Sequence, residues 1–132
     1  MIIVDSSVWI DAFRGNQTPQ VVLLGQLIGQ KALAVGDLIL AEVLQGVDTE
    51  HEFARVLQRM RTMPVIAISS ETVAIEAARN YRRLRGMGIT VRKTIATLIA
   101  TRCIMDGHEL LYSGRDFDPF VEHLGLGVVA TH

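Results

Sequence analysis

The sequence predicts an α/β domain built on a parallel sheet of about five strands with helices on both faces, a three-layer α/β/α arrangement. Three observations predict it. Short apolar runs of strand length alternate with longer stretches of helical character along the whole chain. Hydrophobic residues make up 49% of the 132, and the mean hydropathy is +0.31, as expected where helices cover a sheet on both sides. Strands separated by helices imply right-handed crossovers and parallel pairing.

Taken in order, residues 2–4 read as the first strand and 6–14 as a short helix ending before Gly15. Thr18-Pro19 supplies a cap and first turn for a helix to about Gln30, because proline suits the first helical position. Residues 32–35 form a second strand. After Gly36, Asp37 is expected to cap a helix through Gln45, and Thr49 with Glu52 three residues on has the spacing of a capping box. Residues 65–68 read as the third strand. Ser69-Ser70 opens a long helix that stops at Gly86-Met87-Gly88, and a further helix runs from about Lys93 to Met105 before Gly107. Residues 109–112 and 127–130 read as the last two strands. Asp118 before Pro119 is the natural cap for a single helical turn between them.

No repeat or linker interrupts the chain, so one domain over residues 1–132 is expected. No apolar stretch reaches the ~18 to 20 residues of a membrane span, since Gly25, Gln26, Gly29 and Gln30 break the longest candidate. Cys103 alone forms no internal disulfide, and the start lacks the pattern of a secretion signal, so a cytoplasmic setting is expected. His51, His108, His123 and His132 share no ligand spacing, which argues against zinc.

The acids carry the functional signal. In a parallel sheet the ligand crevice lies beyond the carboxyl ends of the strands. Asp5 follows the first strand, Asp37 and Glu42 the second, and Asp116 the fourth, so topology gathers them at one edge. Glu42 stands amid leucine, isoleucine, alanine and valine, where an unpartnered carboxylate is costly to bury, and so it is expected to face a polar pocket. Converging carboxylates with no basic partner nearby point to a hard metal ion. From Ala77 to Met105 there are seven cations and no acid (Arg79, Arg82, Arg83, Arg85, Arg92, Lys93 and Arg102), a pattern of either a solvated helix face or a track for a phosphate backbone.

Four segments in order resemble one family: Ile3-Val4-Asp5-Ser6-Ser7-Val8-Trp9-Ile10, Leu40-Ala41-Glu42-Val43-Leu44-Gln45-Gly46, Thr90-Val91-Arg92 leading to Leu98-Ile99-Ala100, and Arg115-Asp116-Phe117. The chain looks like a PIN-domain ribonuclease of the VapC type, the toxin half of a bacterial toxin-antitoxin pair. The resemblance implies an endoribonuclease that uses Mg²⁺ or Mn²⁺, forms a homodimer and is inhibited by a small VapB-like antitoxin. It implies Asp5 as central metal ligand, Glu42 as ligand or water-orienting base, and Asp116 as supporting ligand. Ser7 would assist by hydrogen bonding, and Arg92, Lys93 and Arg115 would hold RNA phosphates. Trp9, Phe13 and Leu44 would receive a helix of the antitoxin. The family also implies an acid where this chain has Ala96 and another where it has Gly114. Their absence predicts weak metal binding and reduced cleavage, through natural loss or deliberate disarming.

Other classes fit less well. A haloacid-dehalogenase-like phosphatase needs a second acid two residues after the first, where this chain has Ser7. A receiver domain needs a lysine late in the chain, and the last one is Lys93. The strongest rival is a PIN fold that binds RNA or an antitoxin without cutting.

Overall fold

The computed structural model describes residues 1–129. The order is β1 (Ile2–Val4), α1 (Ser6–Phe13), α2 (Pro19–Leu27), β2 (Leu33–Gly36), α3 (Asp37–Gln45), α4 (Glu50–Met60), β3 (Val65–Ile66), α5 (Glu71–Gly86), α6 (Thr94–Asp106), β4 (Glu109–Leu111), α7 (Asp118–Leu124) and β5 (Gly127–Val128). All pairings are parallel, and the strand order is β3-β2-β1-β4-β5. Helix α1 packs on α2 and α3, and α3 on α4, while α5 packs on α6 and α7, giving a sheet between two helical layers.

The apolar runs explain the centre. Ile3, Val4, Ala34, Val35 and Leu110 are fully buried, as befits strands covered on both faces. Isoleucine and valine fit the pleated surface of a strand, and their burial against Ile39, Ile99 and Phe120 joins sheet and helices in one core. The last predicted strand shortens to Gly127–Val128, and its predicted end at Ala130 lies outside the described residues.

Several caps follow the sequence. Thr18 Oγ1 accepts from Val21 N at 3.1 Å, Thr49 Oγ1 from Glu52 N at 3.1 Å, and Ser70 Oγ from Val73 N at 3.2 Å. The capping box at Thr49 is only half made, because the Glu52 carboxylate pairs with Arg55 instead of reaching back. Asp37 is not the cap of α3. Gly36 takes that position, and Asp37 Oδ1 accepts from Leu38 N at 2.8 Å and from Ile68 N at 2.8 Å. This carboxylate ties the start of α3 to the chain leaving β3. Gly36 is needed for that approach, since a Cβ there would fall 2.6 Å from Ile68 Cγ1. Asp118 is likewise not a cap. Phe117 precedes the helix, which makes seven residues rather than a single turn, and Asp118 Oδ1 accepts from Tyr112 Oη at 2.7 Å.

Candidate active site

The strand order decides where a site can form. From β1 the chain moves outward through β2 and β3, then returns to pair β4 on the other side of β1. The switch point therefore lies between the carboxyl ends of β1 and β4, where open α/β sheets form their crevices. Asp5 N donates to Leu111 O at 2.9 Å, which pins the end of β1 to the end of β4.

Asp5 both caps α1 and faces this crevice. Its Oδ2 accepts from Ser7 N at 3.1 Å and from Ser7 Oγ at 2.7 Å. Ser7 Oγ in turn accepts from Ser113 N at 3.2 Å, so one hydroxyl joins the aspartate to the loop after β4. Asp5 is buried, and desolvation raises its pKa above the usual 3.8; the Ser7 bonds pull it back and the Asp116 charge pushes it further up. Glu42 comes from α3. Its Oε1 accepts from Ser6 Oγ at 3.1 Å, and its pKa is raised first by burial and then by repulsion from Asp5. Glu42 is half-buried, and Ser6 is its hydrogen-bond partner.

Asp116 stands on the exposed loop after β4 and accepts from Lys93 Nζ at 2.8 Å. The bond and the opposite charge of Asp116 raise the lysine's pKa, with smaller contributions from Asp5 and Glu42. The acids therefore have a basic partner, contrary to the expectation from sequence. Lys93 precedes α6 and lies within electrostatic reach of all three carboxylates.

Ala96 is buried one turn into α6. It shares a face with Ala100 and Cys103 at the i, i+4, i+7 spacing, and the Asp5 charge acts on both Lys93 before it and Cys103 after it. Burial pushes the Cys103 thiol up to about 12, so it is inert packing at neutral pH. Gly114 has φ +82°, in the left-handed region, with open space where a Cβ would be. Oxygen donors of this kind suit a hard cation. Among the described residues, however, no three acids, histidines or cysteines are disposed to hold a metal ion. The set present does not complete a metal centre: α6 brings alanine instead of a carboxylate, and Asp116 is engaged by Lys93.

Sequence reasoning missed Ser113. Its amide fixes Ser7, and its buried Oγ lacks a hydrogen-bond partner at the same edge. Only its position just after β4 could have signalled it. The basic run divides in two. Arg79 and Arg83 pair with Glu76, and Arg102 bonds Ile68 O at 3.1 Å and Asp106 at 3.2 Å. Arg82, Arg85, Arg92 and Arg115 have no carboxylate partner among the described residues and are exposed.

A second concavity of about 610 Å³ opens between α1, α2 and α4. Trp9 and Phe13 line it with ring centroids 6.1 Å apart, together with Leu24, Ile28, Arg55 and Arg59. Trp9 Nε1 is buried and has no acceptor among the described residues. Leu44 does not line this hollow; it is half-buried against the core from α3.

A parallel five-stranded α/β/α sandwich with acids at its switch point matches one family model, that of the PIN domain, over residues 2–120. The chain belongs to the PIN-domain family. Among its relatives, VapC ribonuclease Mb1587 of Mycobacterium bovis and Ribonuclease VapC11 of Mycobacterium tuberculosis are each 28% identical over 120 residues, covering 89% of this chain and 90% of theirs. Solved structures share the fold. VapBC2 from Rickettsia felis bound to a promoter DNA fragment superposes with a TM-score of 0.75 at 17% identity, covering 98% of both chains. A toxin-antitoxin complex from Klebsiella pneumoniae gives 0.72 at 18% identity, covering 100% of this chain and 98% of that one.

Proposed function

We propose that this chain is the toxin of a type II toxin-antitoxin pair and an endoribonuclease whose cleavage cleft is the Asp5, Glu42 and Asp116 edge, attenuated by Ala96 and Gly114. The observation that carries the reading is the meeting of Asp5, Glu42 and Asp116 at the β1–β4 switch point, close enough that their charges and that of Lys93 act on one another. The VapC ribonucleases that match over nine-tenths of their length support it.

In this reading Asp5 is the fixed anion of the cleft, held in one rotamer by Ser7. Glu42, with its raised pKa, is the proton acceptor and orients water toward a phosphodiester. Ser7 acts as a positioning residue, and Arg92, Lys93 and Arg115 draw in the RNA backbone. Mg²⁺ or Mn²⁺ is the proposed cofactor of the armed site, with Asp5, Glu42 and Asp116 as three of its ligands. The other two ligand positions are Ala96 and Gly114. The hollow between α1, α2 and α4 receives a VapB-like antitoxin segment on Trp9 and Phe13; its apolar floor and arginine rim suit an amphipathic chain with acidic side chains. Homodimer formation and a cytoplasmic setting complete the proposal. Among the described residues no helix is long and apolar enough to cross a membrane.

The test is cleavage of tRNA and ribosomal RNA over a range of Mg²⁺ and Mn²⁺, comparing this chain with a version carrying Ala96→Asp and Gly114→Asp. The expected outcome is metal-dependent cutting that rises on the double substitution, by about a hundredfold or more if each carboxylate is worth even ~1.4 kcal/mol, and that Asp5→Ala abolishes. A doubly substituted protein that folds, binds RNA and still cuts nothing establishes the non-cleaving binding module instead.

A further inference from the structure

A groove of about 560 Å³ separates α5 from the start of α6, outside the cleft described above. Alanines at 74, 77 and 78 leave its floor shallow, and Tyr81 stands on its wall with the Arg85 guanidinium 5.6 Å from the ring centroid. Arg82 also lines it. These two arginines are the ones on α5 with no acidic partner among the described residues: Glu76 engages Arg79 and Arg83, at 3.3 and 2.9 Å. The far end of the groove is lined by Thr94, next to the Lys93 that holds Asp116. The groove is therefore apolar at its base, aromatic on its wall and cationic at its rim, and one of its lining residues, Thr94, follows Lys93 of the acid cleft in the chain.

We propose that this groove is a nucleotide subsite for single-stranded RNA, in which a base stacks on Tyr81 and its flanking phosphates are held by Arg82 and Arg85. An aromatic face beside free guanidinium groups is the arrangement that binds single strands without needing a base-specific edge. The inference rests on the RNA reading above and adds where the strand runs: from the cleft, past Lys93 and Thr94, along α5. A second copy of this chain is a poorer occupant, because two such arginine rims repel each other.

Binding of a fluorescent 2′-O-methylated RNA of about ten nucleotides, followed by anisotropy across a salt series, tests it, with light scattering and thermal melting on each variant. Arg82→Ala with Arg85→Ala is expected to weaken binding about tenfold at low salt and to flatten the log–log salt slope by about 1.4, two phosphates at ~0.7 each. Tyr81→Ala is expected to lose about tenfold, and Tyr81→Phe to restore it. If the parent chain binds the RNA and the variants match it in affinity and slope, the subsite is overturned while the RNA reading stands. If the parent chain does not bind, the RNA reading fails and the subsite with it. A variant that changes the molecular mass identifies the groove as a subunit contact and overturns the proposal. The paired arginines are exposed, so their result decides the matter even if Tyr81→Ala melts early.

Discussion

At the scale of single residues, the cleft is a set of charges held against their own preference. Burial disfavours the ionised form of Asp5, and its folded pKa lies above the unfolded value of 3.8. The stabilising contribution of this group is fully present below about 3.8, where the carboxyl is protonated in both the folded and the unfolded chain, and is lost as pH rises through the folded value. Asp5→Asn should therefore raise Tm at neutral pH and remove that part of the pH dependence between acid and neutral conditions, at the expense of cleavage. Melting curves of the two proteins over this range check it; equal pH profiles would show that Asp5 is not strained by burial. Lys93 is the second case. Its ammonium neutralises Asp116 and lowers the Glu42 pKa, so it opposes any divalent cation that would take its place. Lys93→Ala should enlarge the rise in Tm produced by Mn²⁺, and the shift relative to a metal-free control measures it. Asp5 and Glu42 were legible in the sequence because each interrupts an apolar run. The family resemblance implies Ser7 as a hydrogen-bonding helper, but the bond of Ser6 to Glu42 was not legible, since it depends on where α3 packs.

At the scale of elements, the positions of most helices and strands could be read from periodicity and caps, while their ends were set by contacts that no local pattern encodes. Asp37 shows why. A carboxylate after a strand and before a helix reads as a cap, yet tertiary packing presents it with Ile68 N, and Gly36 caps instead. Gly36→Ala should cost about 1 to 3 kcal/mol, because its methyl would meet the fully buried Ile68 side chain. Chemical denaturation measures the loss. A change below about 0.5 kcal/mol would mean that Ile68 rotates away freely. Gly114 is the mirror case: its left-handed φ suits glycine, and aspartate is among the few side chains tolerated there. The family resemblance implies an acid at this position but says nothing of a backbone that accommodates one.

At the scale of the whole molecule, the sheet order could not be read from the sequence, because alternating strands and helices fit several permutations. Only the placing of acids after strands constrained it. The two proposed working surfaces lie on different elements, the cleft at the β1–β4 edge and the aromatic hollow among α1, α2 and α4, and α1 belongs to both: Ser6 and Ser7 bond the acids while Trp9 and Phe13 line the hollow. Phe13→Ala should weaken capture of an antitoxin-derived peptide about tenfold, the usual effect of removing an aromatic anchor, without changing RNA binding. Calorimetry with such a peptide checks this, and undiminished affinity would move the partner elsewhere.

The central position of β1 also governs timing. Its partner β4 and the loop bearing Asp116 are translated more than a hundred residues after Asp5. At ~5 to 20 residues per second the ribosome spends several seconds between the first acid and the last. During that interval β1 has no second neighbour and the cleft has no far wall. On the proposed assignment of the cleft, a nascent chain thus stays harmless to the RNA that surrounds it at the exit tunnel until nearly all of it has emerged.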